Sequence, residues 1–202
     1  MDYMREFIEL TEEQAKTFIR DSGSTNWPLR QEVRTKIPKH PKSVLDLGCG
    51  NGNDALKYEA ESYIGIDISP SLIKAAREYA PKHKFLIGDA SSLPFEDDSF
   101  EYAFCVSLLE HLHSLEDTRD ILREMLRVTS QKVVISWHNP PLGDEPTKII
   151  PSTDQTGMHF GYKKWSNYLN IFDLTKSIID KNKIHTTVYN KKAAIWEIDL
   201  NV

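Results

Sequence analysis

VLDLGCGNGND, residues 44–54, is the stretch that decides the fold. Its first four residues are apolar apart from Asp46, as in a strand buried inside a sheet. Glycines at 48, 50 and 52 then alternate with other residues, and Asn53-Asp54 follow. A short strand over Ser43–Leu47, a glycine-rich turn and a helix over 53–60 are expected. Missing side chains let a ligand approach the backbone closely, and a following helix offers unpaired N–H groups. Turns of this kind bind nucleotides at the carboxyl edge of doubly wound sheets. A dinucleotide fingerprint, G-x-G-x-x-G, would place its third glycine at 53, where Asn53 stands. The pattern Asp46-x-Gly48-x-Gly50-x-Gly52 therefore argues against a pyrophosphate-bearing cofactor.

Outward from this turn, strands and helices alternate. Strands are expected at 62–66, Lys84–Ile87, Phe100–Val106 and 132–137. A helix opens at Ser69-Pro70, with serine as N-cap and proline at the first helical position, and runs to about Tyr79. Ile121, Leu122, Met125, Leu126 and Val128 recur at helical spacing over 115–128. A Pro/Gly/Asp-rich loop runs from 139 to about 160, and a helix is expected over 163–181. IHTTVYN (184–190) and AAIWEIDLN (193–201) are separated only by Lys191-Lys192, so they form an antiparallel hairpin. In the second of these strands Ala194, Trp196, Ile198 and Leu200 alternate with Ile195, Glu197, Asp199 and Asn201, which predicts one better-buried face. Before residue 40 the chain reads as helical. Thr11 to Gln14 has capping-box spacing, and 29–37 forms a second short helix ended near Pro38. Five strand–helix units predict an α/β, doubly wound, mostly parallel sheet with an antiparallel C-terminal hairpin.

The 202 residues suit a single domain, divided into an N-terminal helical lid (1–40), a core (41–138), an insertion (139–165) and a terminal helix and hairpin (166–202). Net charge is −5, with no basic stripe for a phosphate backbone to neutralise, so nucleic acid is not the expected partner. Cys49 and Cys105 are too few for a disulfide framework and fit no zinc spacing. A reducing cytoplasm is the simplest compartment. No signal peptide and no apolar run of bilayer length is read.

Asp67 lies 19 residues beyond Gly48, at the end of the second strand, where a carboxylate accepts from both hydroxyls of a ribose. Gly88-Asp89-Ala90 ends the third strand, with a carboxylate for an exocyclic amino group and a small residue beside a ring. VLDLGCGNG, GIDIS, GDASSLPFEDDSFEYAFCVSLLEHL and LREMLRV followed by KVVIS together resemble the class I S-adenosylmethionine-dependent methyltransferases, from about Ser43 to Trp137. The likeness is nearest to their small-molecule branch, which includes quinone-biosynthesis and natural-product enzymes.

The resemblance implies a Rossmann-like sheet of seven strands with an antiparallel seventh, and S-adenosylmethionine as methyl donor. It implies that Gly48, Cys49 and Gly50 line the methionine part of the cofactor, and that Asp46 orders that loop or reaches the amino group through water. Asp67 would hold the ribose, with Ile68 against the adenine and Asp89 and Ala90 at its edge. The Val106 carbonyl would lie near the cofactor's ammonium. Two departures stand out: Glu101 replaces a frequent Asp, and Thr129-Ser130-Gln131-Lys132 replaces the usual Lys-Pro-Gly-Gly turn.

Methyl transfer from a sulfonium is an in-line displacement, so positioning supplies much of the acceleration. A general base is needed only where the acceptor must lose a proton early. His138, after the fifth strand, is the candidate base or substrate contact. His111 and His113 are one residue apart and share no helix face, so they read as packing and no metal site is expected. Tyr3, Phe7 and Trp27 are candidate substrate contacts, beside Phe18, Phe160, Tyr162 and Trp165. Asn139-Pro140-Pro141 brings to mind the amino-methylating motif of nucleic-acid enzymes, but it follows the fifth strand rather than the fourth. Leu142 also stands where that motif has an aromatic. The expected function is methyl transfer to a small molecule. The alternatives are a non-catalytic S-adenosylmethionine-binding or regulatory protein and, further off, an NAD-dependent oxidoreductase.

Overall fold

The computed structural model describes residues 9–17, 28–109, 112, 115–138, 178, 184–190 and 193–201. Seven strands form one sheet in the order β3-β2-β1-β4-β5-β7-β6. They are β1 (Ser43–Leu47), β2 (Ser62–Asp67), β3 (Lys84–Ile87), β4 (Phe100–Val106), β5 (Thr129–His138), β6 (Ile184–Asn190) and β7 (Ala193–Asp199). Strands β1 to β5 pair in parallel, whereas β7 pairs antiparallel with both β5 and β6. The expected hairpin is present, and its second strand is the one that joins the sheet.

Among the described residues, α-helices run over α1 (Glu12–Thr17), α2 (Pro28–Thr35), α3 (Pro70–Tyr79) and α4 (Leu115–Arg127). Period-2 alternation sorts the strand residues onto two faces. Leu45, Leu47, Cys105, Val133, Ile135, Trp196 and Ile198 meet Ile121, Leu122 and Met125 of α4. Val44, Phe104, Val106, Val134 and Ile195 meet Leu29 and Val33 of α2 and Ile73 and Ala76 of α3. Asp46 and Ser136 belong by alternation to this second face.

The helix starts follow their sequence signals. Thr11 and Gln14 form a reciprocal capping box, Gln14 N donating to Thr11 Oγ1 at 3.3 Å and Thr11 N donating to Gln14 Oε1 at 2.9 Å. Ser69 caps α3 by accepting from Leu72 N at 3.4 Å. Ser71 Oγ donates to Leu10 O at 2.6 Å, and Leu10 and Ala15 bury against Leu72 and Ala75, so α1 is docked on α3.

Three expectations are corrected. Residues 53–60 do not form a helix; a single 3-10 turn, Ala55–Lys57, takes its place. Gly52 has φ +78°, and the Asn53 and Asp54 side chains are drawn into buried hydrogen bonds, which compete with helix formation. No helix separates β3 from β4. That loop is fastened instead by α4, whose Glu124 carboxylate takes Leu93 N at 2.7 Å and whose Arg127 donates to Phe95 O at 2.8 Å. Strand β5 starts at Thr129, directly after α4, rather than at 132. In place of the turn that the resemblance implies, Thr129 Oγ1 donates to Met125 O at 2.6 Å and Ser130 Oγ donates to Phe100 O at 3.1 Å. The better-buried face expected of β7 is that of Trp196 and Ile198, while on its other face buried Ile195 is followed by half-buried Glu197 and Asp199.

Of 163–181, only Ile178 is described, in helical conformation and packed against the α4-side core. Among the described residues no helix is long and apolar enough to cross a membrane.

Candidate functional site

The strand order reverses between β1 and β4, so a crevice opens at their carboxyl ends, where doubly wound sheets bind ligands. The glycine turn sits at that point. Gly48, Gly50 and Gly52 all have positive φ, at +67°, +54° and +78°. Gly48 N and Cys49 N both donate to Ile66 O, at 2.8 and 3.0 Å, which ties the turn to β2. A side chain at Gly48 would be strained by its φ, and its Cβ would fall 2.9 Å from Leu108 Cδ1. The segment after β4 therefore lies directly against the turn.

Cys49 points into the core. A Cβ on Gly65 would sit 2.8 Å from its Sγ, so Gly65 and Cys49 are fitted to one another. Burial, with Asp46 and Asp67 adding to it, pushes the Cys49 thiol up, so it is a packing group and not a nucleophile. Cys49 and Cys105 are both free and buried.

Asp46 is 3% exposed and accepts a hydrogen bond from Tyr63 Oη. Burial pushes its carboxyl up to about 7, against the pull of the Tyr63 hydrogen bond and Arg30. Its immediate partner is thus the protein interior.

Asp67 is held from two sides. Gly50 N donates to its Oδ2 and Ser69 N to its Oδ1, each at 2.9 Å. Burial raises its carboxyl despite these backbone donors and a further one from Ile68. Each carboxylate oxygen accepts more than one hydrogen bond, so both keep capacity for a pair of neighbouring hydroxyls. That pair of acceptors fits the two hydroxyls of the ribose of S-adenosylmethionine. Ile68 is partly buried beside Asp67. Asp89 is exposed and its Oδ1 takes both Ser91 N and Ser91 Oγ at 2.8 Å, which fixes its orientation next to partly buried Ala90.

Val106 closes β4 and is 7% exposed. The next residue, Ser107, is one of two non-glycine residues with positive φ among the described residues, at +57°. Ser107 N donates to Ser136 Oγ of β5 at 3.2 Å, while Ser107 Oγ is buried with no hydrogen-bond partner among the described residues. His138 ends β5, opposite Ala193 of β7; its side chain lies outside what is described. Tyr3, Phe7 and Trp27 lie outside the described residues, as do Phe18, His111, His113, residues 139–142, Phe160, Tyr162 and Trp165.

Sequence reasoning missed how the turn is clamped. Arg30 and Arg34, one turn apart on α2, both pair with the buried carboxylate of Asp54; Arg34 Nε reaches Asp54 Oδ1 at 2.7 Å. Asn51 Nδ2 donates to Ala15 O of α1 at 3.2 Å and Asn53 Nδ2 to Asn51 Oδ1 at 2.7 Å. The signal was visible as two arginines at i, i+4 beside Leu29 and Val33, and as Asn and Asp where helix formers were expected.

Residues 44–132 match the family model described as a methyltransferase domain. Ajmaline N-methyltransferase of Rauvolfia serpentina is 35% identical over 152 residues, covering 66% of this chain and 51% of the relative. A probable chloroplastic tocopherol O-methyltransferase of Oryza sativa subsp. japonica is 33% identical over 126 residues, covering 56% of this chain and 34% of the relative. The chain thus spans about half or less of the length of these curated relatives. The crystal structure of Haemonchus contortus phosphoethanolamine N-methyltransferase 2 with S-adenosyl-L-methionine superposes with a TM-score of 0.70 at 15% identity, over 98% of this chain and 59% of that one, a likeness of fold. Strand order, glycine turn and matching family model together identify residues 44–132 as a class I S-adenosylmethionine-dependent methyltransferase domain.

Proposed function

We propose that the chain transfers a methyl group from S-adenosylmethionine to a small-molecule acceptor by in-line displacement. The observation that carries this reading is Asp67, whose carboxylate is oriented by Gly50 N and Ser69 N at the switch point beside the glycine turn. S-adenosylmethionine bound there supplies an electrophilic methyl on a sulfonium. The chain's own part is to hold, orient and desolvate. Asp67 accepts from the ribose hydroxyls, Ile68 and Ala90 flank the adenine, and Asp89 accepts from its amino group. The turn at Gly48, Cys49 and Gly50 takes the methionine portion, its backbone facing the ligand because the Cys49 side chain is in the core. Val106 presents its carbonyl to the ammonium.

Tyr3, Phe7, Trp27 and His138 are proposed as acceptor contacts, with His138 as base where the acceptor must lose a proton. The relatives named for ajmaline and tocopherol support a small-molecule acceptor, and the net charge of −5 disfavours a nucleic acid. Two free, buried thiols suit a reducing, cytoplasmic setting.

The test is a screen of small-molecule acceptor pools for release of S-adenosylhomocysteine. Acceptor-dependent release that falls in His138→Ala supports the full assignment. Tight S-adenosylhomocysteine binding with no turnover on any pool would instead favour a non-catalytic binding protein.

A further inference from the structure

Residues 88–99 link β3 to β4 without a helix or a strand. Such a loop has no backbone ladder of its own to fix its shape. Its start is tied to the sheet, where Gly88 N donates to Asp67 O at 3.0 Å. Its far part is tied to α4 by one pair of side chains, Glu124 and Arg127. Glu124 Oε2 accepts from Leu93 N at 2.7 Å. Arg127 donates to Phe95 O at 2.8 Å, to Leu93 O at 3.3 Å and to Asp97 Oδ1 at 2.9 Å. The two side chains also hold each other, Arg127 Nε and Nη2 reaching Glu124 Oε1 and Oε2 at 2.7 and 2.8 Å.

What lies between these anchors gives the pair its meaning. Asp89, Ala90, Ser91 and Ser92 span the interval from Gly88 to Leu93. Ser91 fixes the Asp89 carboxylate relative to the loop, through two bonds of 2.8 Å to Oδ1. Nothing in those bonds fixes the loop relative to the sheet. Asp89 is exposed, so packing does not hold it either. A binding group is only as well placed as the residues that support it. Here that support comes from a helix more than thirty residues further along the chain, as the separations of the Leu93–Glu124 and Phe95–Arg127 bonds show.

We propose that Glu124 and Arg127 are positioning residues for nucleobase selection, holding the 88–99 loop so that Asp89 meets the exocyclic amino group of adenine. This rests on the reading above in which Asp89 accepts from that group. Neither residue touches the ligand. The pair acts as a unit, because Glu124 orients the guanidinium that grips the loop and itself takes Leu93 N. With the far anchor gone, the loop keeps only its tie at Gly88, and the carboxylate spends less time where the amino group lies.

The experiment uses the full chain and two probes, S-adenosylhomocysteine and S-inosylhomocysteine, in which a carbonyl replaces the amino group of adenine. Calorimetry at low temperature gives the ratio of the two affinities, with circular dichroism to check that each variant is folded. The wild type should prefer S-adenosylhomocysteine by about 10-fold or more, because the carbonyl leaves the Asp89 carboxylate without its donor. Arg127→Ala should cut that preference to about 3-fold or less. Arg119→Ala, which loses an ion pair to Glu116 on the same helix, should keep it. A pair that only stabilises the fold predicts a lower melting temperature for Arg127→Ala with the preference intact, and that result overturns the proposal. So does an equal loss of preference in Arg119→Ala. If Arg127→Ala does not fold, Glu124→Gln, which keeps the side-chain length, is judged by the same ratio. A wild type that binds both probes equally overturns the Asp89 assignment, and one that binds neither overturns the cofactor reading itself.

Discussion

Asp67 and Asp46 are two carboxylates on neighbouring strands with opposite surroundings. Asp67 is oriented by backbone N–H groups and keeps acceptor capacity. Asp67→Ala should weaken S-adenosylhomocysteine binding by roughly 10-fold or more, because charge-assisted hydrogen bonds are lost. Unchanged affinity on calorimetry would remove it from the ribose. Asp46 faces Tyr63 in the interior, and its carboxyl is pushed from an ordinary 3.8 up to about 7. Between those pH values the folded chain holds a proton that the unfolded chain has released. The stability this group contributes is therefore full below about pH 4 and is lost as pH rises through about 7. Asp46→Asn cannot ionise, so its melting temperature minus that of the wild type should climb from pH 5 to pH 8. A flat difference across that range would show that Asp46 is not desolvated. The place of Asp67 beside the glycine turn was legible because its spacing from the glycines is a feature of the chain itself. The burial of Asp46 was not, because it depends on Tyr63 and Arg30 arriving from other elements.

At the scale of elements, local signals that are satisfied locally were readable, and those answered from a distance were not. The Thr11–Gln14 box and the Ser69 cap are spacings of three residues, and both form. Residues 53–60 begin with Asn53 and Asp54, whose partners come from the N-terminal segment or the turn itself, so the expected helix collapses to Ala55–Lys57. This exchange makes Asp54 a structural hinge between α2 and the glycine turn. Asp54 is 2% exposed, with Arg30 at 9% and Arg34 at 15%. Asp54→Ala strands two guanidinium groups without their carboxylate and should cost about 3–5 kcal/mol in urea denaturation. Arg34→Ala leaves the Arg30–Asp54 pair standing and should cost distinctly less. If Asp54→Ala shifts the urea midpoint no more than Arg34→Ala does, α2 is not held by this clamp.

The strands of the sheet and their parallel or antiparallel sense could be read from alternation and link length, but the order β3-β2-β1-β4-β5-β7-β6 and the placement of the last two strands could not. A two-residue link fixes that β6 and β7 are antiparallel, but not which of them joins β5. Burial decides it: Ile195, Trp196 and Ile198 give β7 apolar residues on both faces, whereas IHTTVYN is largely polar and His185 is exposed at the outer edge. An interior strand must be covered on two sides, so β7 takes the inner position. The result places the antiparallel pair beside β5 and leaves the crevice between β1 and β4 to the parallel strands, with Asp67 and the glycine turn at one rim and Ser107 at another. A ligand gripped by β1, β2 and β4 together should stabilise the native state of the whole domain. At 100 times its dissociation constant, a single-site ligand contributes about 2.7 kcal/mol, which for a chain of this size is roughly 5–11 °C in melting temperature. S-adenosylhomocysteine should produce that shift and NAD should not, since Asn53 occupies the position of the third glycine in the pyrophosphate fingerprint. A shift with NAD equal to that with S-adenosylhomocysteine would mean that the crevice accepts a pyrophosphate, and the meaning of the glycine spacing would have to be reversed.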